Sequence, residues 1–171
     1  CVAKDMYEIC EYIDSVSKKT AVRVNTNGGM RKSEWWAKLG KLFAEHPWGK
    51  DAHWSVTFSI DGLEDTNHIY RKNVLWSKLI ENAQSFIQAG GTAHWDMLVY
   101  QHNQHQVDAC EKLARDLGFK WFRAKVSKRP FINGLKAPSN WQAVDFASGP
   151  IDCHVLREQS IFIDAQGRES P

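Results

Sequence analysis

The sequence predicts an α/β fold built on a parallel sheet, and three observations predict it. Segments with apolar residues at helical spacing alternate with short segments in which apolar residues recur at every second position. The order runs helix, strand, helix, strand through the first 126 residues, the signature of consecutive βα units. Glycine pairs and prolines fall at the joints between segments rather than inside them.

Residues 2 to 18 place Val2, Met6, Ile9, Cys10, Ile13 and Val16 on helical positions, with Lys18 and Lys19 at the carboxyl end, where cations suit the helix dipole. AVRVN, ending at Asn25, reads as a short strand halted by Gly28 and Gly29. Ser33 is the expected cap of a second helix that turns Trp36, Leu39, Leu42 and Phe43 inward before Pro47 stops it. Trp54, Val56, Phe58 and Ile60 then alternate with Ser55, Thr57 and Ser59, which is a strand. Asn73 is expected to cap a helix carrying Leu75, Leu79, Ala83, Phe86 and Ile87 on one face. AHWDMLVY is the next strand, QVDACEKLARDLG the next helix, closed by Gly118, and FKWFRA the fourth strand. Beyond residue 126, Pro130, Gly134, Pro138, Gly149 and Pro150 break the pattern until SIFIDAQG suggests a last short strand and turn.

Composition narrows the function classes. A chain of 171 residues buries enough surface for one domain to be stable without a disulfide or metal. No apolar run approaches the roughly 18 residues of a membrane span, so no membrane partner is expected. The net charge of +2 is too mild to imply a polyanionic partner for the whole chain. Cys1, Cys10, Cys110 and Cys153 are scattered without a CxxC pair, which fits a reducing, cytoplasmic setting better than a disulfide framework. Cys10 and Cys110 lie on apolar helix faces and are expected in the core.

Chemistry in parallel α/β folds collects where strands end, because the loops leaving their carboxyl ends share one face. Those exits carry Asn25, Thr26 and Asn27, then Ser59 and Asp61, then Tyr100, His102 and Asn103, then Arg123 and Lys125. Turn formers alone account for any one of them. Four exits bearing hydroxyl, amide, carboxylate and guanidinium groups point to a polar organic ligand.

TNGG at 26–29, FSIDG at 58–62, YR at 70–71 and HN at 102–103 together resemble the radical S-adenosylmethionine enzymes, in the branch with a C-terminal SPASM extension. The likeness covers nearly the whole chain. It implies a partial (β/α)6 TIM-like barrel, of which the four strands here are the third to sixth and the first two are lacking. Residues 1–126 are then the barrel core, and 127–171 a linker and the start of the SPASM-like segment. The family's [4Fe-4S] cluster, held by CxxxCxxC after the first strand, cleaves S-adenosylmethionine reductively to a 5'-deoxyadenosyl radical that abstracts hydrogen from a substrate, often a peptide or protein. No such motif occurs in 1–171, so the resemblance implies a fragment, inactive alone, whose cluster ligands precede Cys1. A reductant such as a flavodoxin or ferredoxin is the implied partner.

Carried over residue by residue, the resemblance gives Ser59 and Asp61 to the ribose and amino-acid part of the cofactor and Arg71 to its carboxylate. Thr26, Asn27 and Asn103 line the same mouth. The competing role for Arg71 is a surface ion pair with Glu64 or Asp65. Cys153 matches the first SPASM cysteine, which precedes a short hairpin and ligates an auxiliary iron-sulfur cluster; a free buried cysteine is the alternative. Three rival readings remain, the first being a non-catalytic binding relative of the family. HNQH at 102–105, with His94 and His154, is a candidate metal site whose spacing matches no recognised ligand pair. KWFRAKVSKRPFINGLK, 120–136, interleaves Trp121, Phe122 and Phe131 with Lys and Arg and no acid, which suits a nucleic-acid-binding α/β module.

Overall fold

Period-two alternation produces four strands: β1 (Val22–Thr26), β2 (Trp54–Ser59), β3 (Thr92–Val99) and β4 (Trp121–Val126). Helical spacing produces α1 (Met6–Val16), α2 (Ser33–Glu45), α4 (Trp76–Gln88) and α5 (Val107–Asp116), and a short α3 (Glu64–Tyr70) stands where the sequence reads only as a turn. The computed structural model describes residues 4–47, 49, 53–126 and 134–140, with the backbone of 162–163 and 169–170. The chain divides into two compact units, 1–141 and 142–171. The first extends past the core boundary expected at 126 because the segment around residue 136 returns to the end of β3. There the Gln101 N–H donates to the Lys136 carbonyl at 3.0 Å, and Ser139 and the Gln104 side chain exchange two bonds of 2.8 and 2.9 Å. In the second unit, β5 (Phe162–Ile163) pairs antiparallel with β6 (Glu169–Ser170).

All four strands of the first unit are parallel, in the order β1-β2-β3-β4. Crossovers between parallel strands keep one hand almost without exception, so a strand order that never reverses sends every connecting helix to the same side. The packing follows: α2 lies along α4, both touch β3, and α5 touches β4. Gly40 permits a close approach of α2 to α4, since a methyl group there would run into the Phe86 carbonyl.

The two faces of the sheet are consequently unlike. Toward the helices point Val24, Val56, Phe58, Ala93, Trp95 and Met97, all buried. Fully buried Trp36, Phe43, Phe58, Phe86 and Trp95 make this an aromatic core, with ring centroids 5.3 Å apart for Trp36 and Phe58 and 5.1 Å for Phe43 and Trp54. Each such side chain contributes roughly 2 to 3 kcal/mol relative to exposure. A buried indole must still satisfy its N–H. Trp36 donates to the Met30 carbonyl at 3.0 Å, Trp54 to Thr20 at 2.7 Å and Trp95 to Ile60 at 2.8 Å. The opposite face carries Arg23, Asn25, Ser55, Thr57, Ser59, His94, Asp96, Trp121, Arg123 and Lys125, in register across the four strands. Parallel strands buried on both sides read as unbroken apolar runs. These alternate because one face is polar.

Three local expectations are corrected. Ser33 is the first helical residue of α2 rather than its cap; Lys32 occupies the cap position and makes no side-chain cap bond. Asn73 lies outside α4 in the left-handed region, φ +62, and Leu75 stands at the cap. Leu75 is therefore 70% exposed instead of inward, held off the helix face by its extended backbone. Cys10 and Cys110 are free and buried, as their helix positions predict.

Candidate functional site

The site grows from the end of β2. After Ser59 the ladder continues for one bond, Ile60 N–H to the Asp96 carbonyl at 3.0 Å, and then the chain turns at Asp61. Beyond this point β3 no longer pairs with β2, and the Leu98 N–H needs an acceptor on that side. The Asp61 carboxylate supplies it, Oδ1 accepting from Leu98 at 2.6 Å, so a side chain prolongs the ladder where the backbone has left it. Its Oδ2 accepts from Arg71 Nε at 2.5 Å. Asp61 is fully buried, and burial pushes its carboxyl above the ordinary range while Arg71 and the Leu98 N–H pull against that shift.

The remaining polar groups of the turn are held by two asparagines. Asn67 on α3 accepts from the Asp61 N–H at 2.8 Å. Asn103, fully buried, accepts from the Tyr100 N–H at 2.7 Å and donates to the carbonyls of Asp61 and Leu98, each at 2.9 Å. Gln106 secures α3 from the other side: its Oε1 accepts from the Leu63 N–H at 3.0 Å and from the Thr66 hydroxyl, and its Nε2 donates to Asp65 at 2.8 Å. Arg71 follows α3, its side chain 23% exposed, with its Cζ 5.0 Å from the centre of the Tyr70 ring.

Of the residues expected at a cofactor, Asp61, Arg71 and Asn103 thus meet in one hydrogen-bonded cluster. Arg71 pairs with Asp61 rather than with Glu64 or Asp65. Ser59 is half-buried on the polar sheet face beside Asp96, its hydroxyl without a hydrogen bond to the described residues. Thr26 and Asn27 shape their own turn at the neighbouring strand exit, Thr26 Oγ1 accepting from the Gly28 N–H at 3.0 Å and Asn27 Oδ1 from the Gly29 N–H at 3.2 Å. Asn82 on α4 ties this turn down by donating to the Gly28 carbonyl at 2.7 Å. Cys153 and His154 lie outside the described residues.

Sequence reasoning passed over Asp96 and named His94 only as a candidate metal ligand beside HNQH. Asp96 receives Arg123 on both oxygens, at 3.0 and 2.6 Å, and Lys125 at 2.8 Å. Burial raises its carboxyl, but the two cations outweigh that and hold it below the usual range. The signal was present, since His94 and Asp96 sit two apart in an otherwise apolar strand. The basic run 120–136 is divided accordingly. Its first two face cations are engaged by Asp96, Trp121 is 58% exposed, Phe122 packs on Trp95 at 5.8 Å, and residues 127–133 lie outside the described ones. Among the described residues no group of three or more His, Cys, Asp or Glu side chains could hold a metal ion. No helix among them is long and apolar enough to cross a membrane.

No family model matches the chain, and no curated protein matches it.

Proposed function

We propose that the chain forms the carboxyl-terminal part of a radical S-adenosylmethionine enzyme barrel, with the polar sheet face as a wall of its reaction chamber. The carrying observation is the strand order: four parallel strands that never reverse, helices on one side, hydrogen-bonding side chains on the other. A doubly wound sheet reverses its order and covers both faces with helices. A barrel does neither. The antiparallel pairing of β5 with β6 beyond Cys153 suits the short hairpin of the SPASM-like segment.

In this reading Ser59 and Arg71 hold S-adenosylmethionine. The Ser59 hydroxyl is free to meet the ribose. Arg71 spends Nε on Asp61 and keeps its Nη groups, which bond to no described residue, for the amino-acid carboxylate, a charge-assisted contact of roughly 1.5 to 3 kcal/mol. Asp61 and Asn103 act one step back: with both carboxylate oxygens engaged, Asp61 aims the guanidinium instead of touching the ligand. The cofactor, when bound, supplies hydrogen-abstracting chemistry. The described residues do not fit an iron-sulfur cluster, so its ligands are assigned to a segment before Cys1.

Calorimetric titration of S-adenosylmethionine tests the binding assignment. Arg71→Lys, which retains a charge for Asp61, is expected to weaken affinity roughly tenfold through loss of the forked contact; unchanged affinity overturns Arg71's role. An open reading frame lacking CxxxCxxC upstream of Cys1 overturns the enzyme assignment. With that motif present, anaerobic loading of the full-length protein with iron and sulfide is expected to yield 5'-deoxyadenosine under reduction.

A further inference from the structure

The polar face holds more positive charge than it neutralises. Side chains two apart on a strand share a face and stand about 6.6 Å apart at the usual rise, which lines up Trp121, Arg123 and Lys125 along β4. Both cations converge on the single carboxylate of Asp96, with their side chains still 62% and 46% exposed. One negative charge thus faces two positive ones. Arg23, exposed on β1 on the same face, adds a third and forms no ion pair with the described residues. Among the described residues, Arg123 Nη1 and two of the three Lys125 N–H donors have no hydrogen-bond partner.

Next to this surplus charge stands an indole with one side open. Trp121 rests against the His94 ring, centroids 4.2 Å apart and inclined at 37°, yet remains 58% exposed. His94 itself is 3% exposed, and its Nε2 is buried without a hydrogen-bond partner among the described residues. Burial lowers its pKa; Arg23, Arg123 and Lys120 lower it further against the pull of Asp96, so the ring is neutral and adds no charge of its own. A flat aromatic surface flanked by underneutralised cations is the combination that stacks a base and holds its phosphate.

We propose that Trp121, Arg123 and Lys125 bind a nucleoside phosphate, the base stacked on the open side of Trp121 and the phosphate on the Arg123–Lys125 pair. The site uses none of Ser59, Asp61 or Arg71, but it lies on the same sheet face, Arg123 and Lys125 bonding Asp96, the register partner of Ser59. The phosphate belongs either to a free nucleotide or to a nucleic-acid strand.

Titration of the chain with adenosine monophosphate, adenosine, inorganic phosphate and single-stranded oligoadenylate tests it. The monophosphate is expected to bind roughly tenfold more tightly than adenosine or phosphate, and to weaken as salt rises from about 50 to 200 mM. Trp121→Ala, at an exposed position, should reduce its affinity to that of phosphate. Asp96→Asn, which frees both cations, should retain or tighten it, and Lys125→Glu should abolish it. Oligoadenylate binding roughly tenfold tighter than the monophosphate assigns the site to a strand; equal affinity assigns it to free nucleotide. A monophosphate that binds no better than phosphate, or an affinity that Trp121→Ala leaves intact, overturns the proposal. Loss of S-adenosylmethionine binding alone overturns only the cofactor reading.

Discussion

Replacing Asn103 with alanine removes the side chain that closes the end of β3, and the cost follows from its three bonds. Tyr100 N–H loses its acceptor at 2.7 Å, and the Asp61 and Leu98 carbonyls lose donors at 2.9 Å. Each bond contributes about 0.5 to 1.5 kcal/mol net, and a buried group left unpaired costs about 1 to 3 kcal/mol. Asn103 is fully buried, so its partners do not rejoin bulk solvent. A water entering the vacated space recovers part of the loss. The expected destabilisation is about 3 kcal/mol, a large share of the roughly 5 to 15 kcal/mol typical of a folded domain. Urea unfolding followed by near-ultraviolet circular dichroism measures it, with the midpoint falling and the slope unchanged. Asn103→Asp sharpens the test by turning an oxygen toward two carbonyl oxygens in a buried place. Its folded-state pKa is raised, so the variant should lie nearest the native stability in acid and lose stability as pH rises from the unfolded carboxyl value toward the folded one. A loss below about 1 kcal/mol for Asn103→Ala would show that these three bonds do not hold the β3 exit.

Arg71→Ala leaves the fully buried Asp61 carboxylate with the Leu98 N–H as its only hydrogen-bond partner among the described residues, and about 3 kcal/mol should be lost near neutral pH. That loss should narrow as falling pH protonates Asp61, whose pKa burial already raises; unfolding curves at neutral and mildly acidic pH check this, and a pH-independent loss contradicts it. Gly28→Ala forces an alanine to φ +66 and drives its methyl into Leu79 and Phe58, for about 2 to 4 kcal/mol, read as a lowered melting temperature. Burial pushes the thiols of Cys10 and Cys110 up to about 11 and about 12. Peptide mass spectrometry after a brief iodoacetamide pulse at about pH 8, near a free thiol's pKa, should find both unmodified in the native protein and modified in denaturant; rapid native labelling would contradict their burial.

How far the cluster around Asp61 could be read from the chain depends on which contacts are local. The period-two pattern of WSVTFSID places Asp61 at a strand exit, and the short spacing to Arg71 makes an ion pair conceivable. Nothing local joins Asp61 to Leu98, 37 positions away, or Asn103 to the Asp61 carbonyl, 42 away. The helix Glu64–Tyr70 escaped notice for a related reason. Its buried residues are Thr66 and Asn67, polar side chains that carry no apolar periodicity and are held by Gln106 and the Asp61 N–H. Ser33 and Asn73 are good capping residues by type, but the backbone entering each helix gave the cap position to Lys32 and Leu75.

By itself the sequence determined the four strands, the longer helices between them and the aromatic core, because hydrophobic periodicity is a property of neighbours along the chain. It also determined that one sheet face is polar, since Ser55, Thr57, Ser59, His94 and Asp96 occupy alternate positions. Only the tertiary structure decided which polar groups satisfy one another: that Asp61 prolongs the ladder, that Asp96 gathers Arg123 and Lys125, and that Trp121 stays open beside them. Those pairings depend on the register of strands distant in sequence, which is set by how the whole sheet packs on its helices.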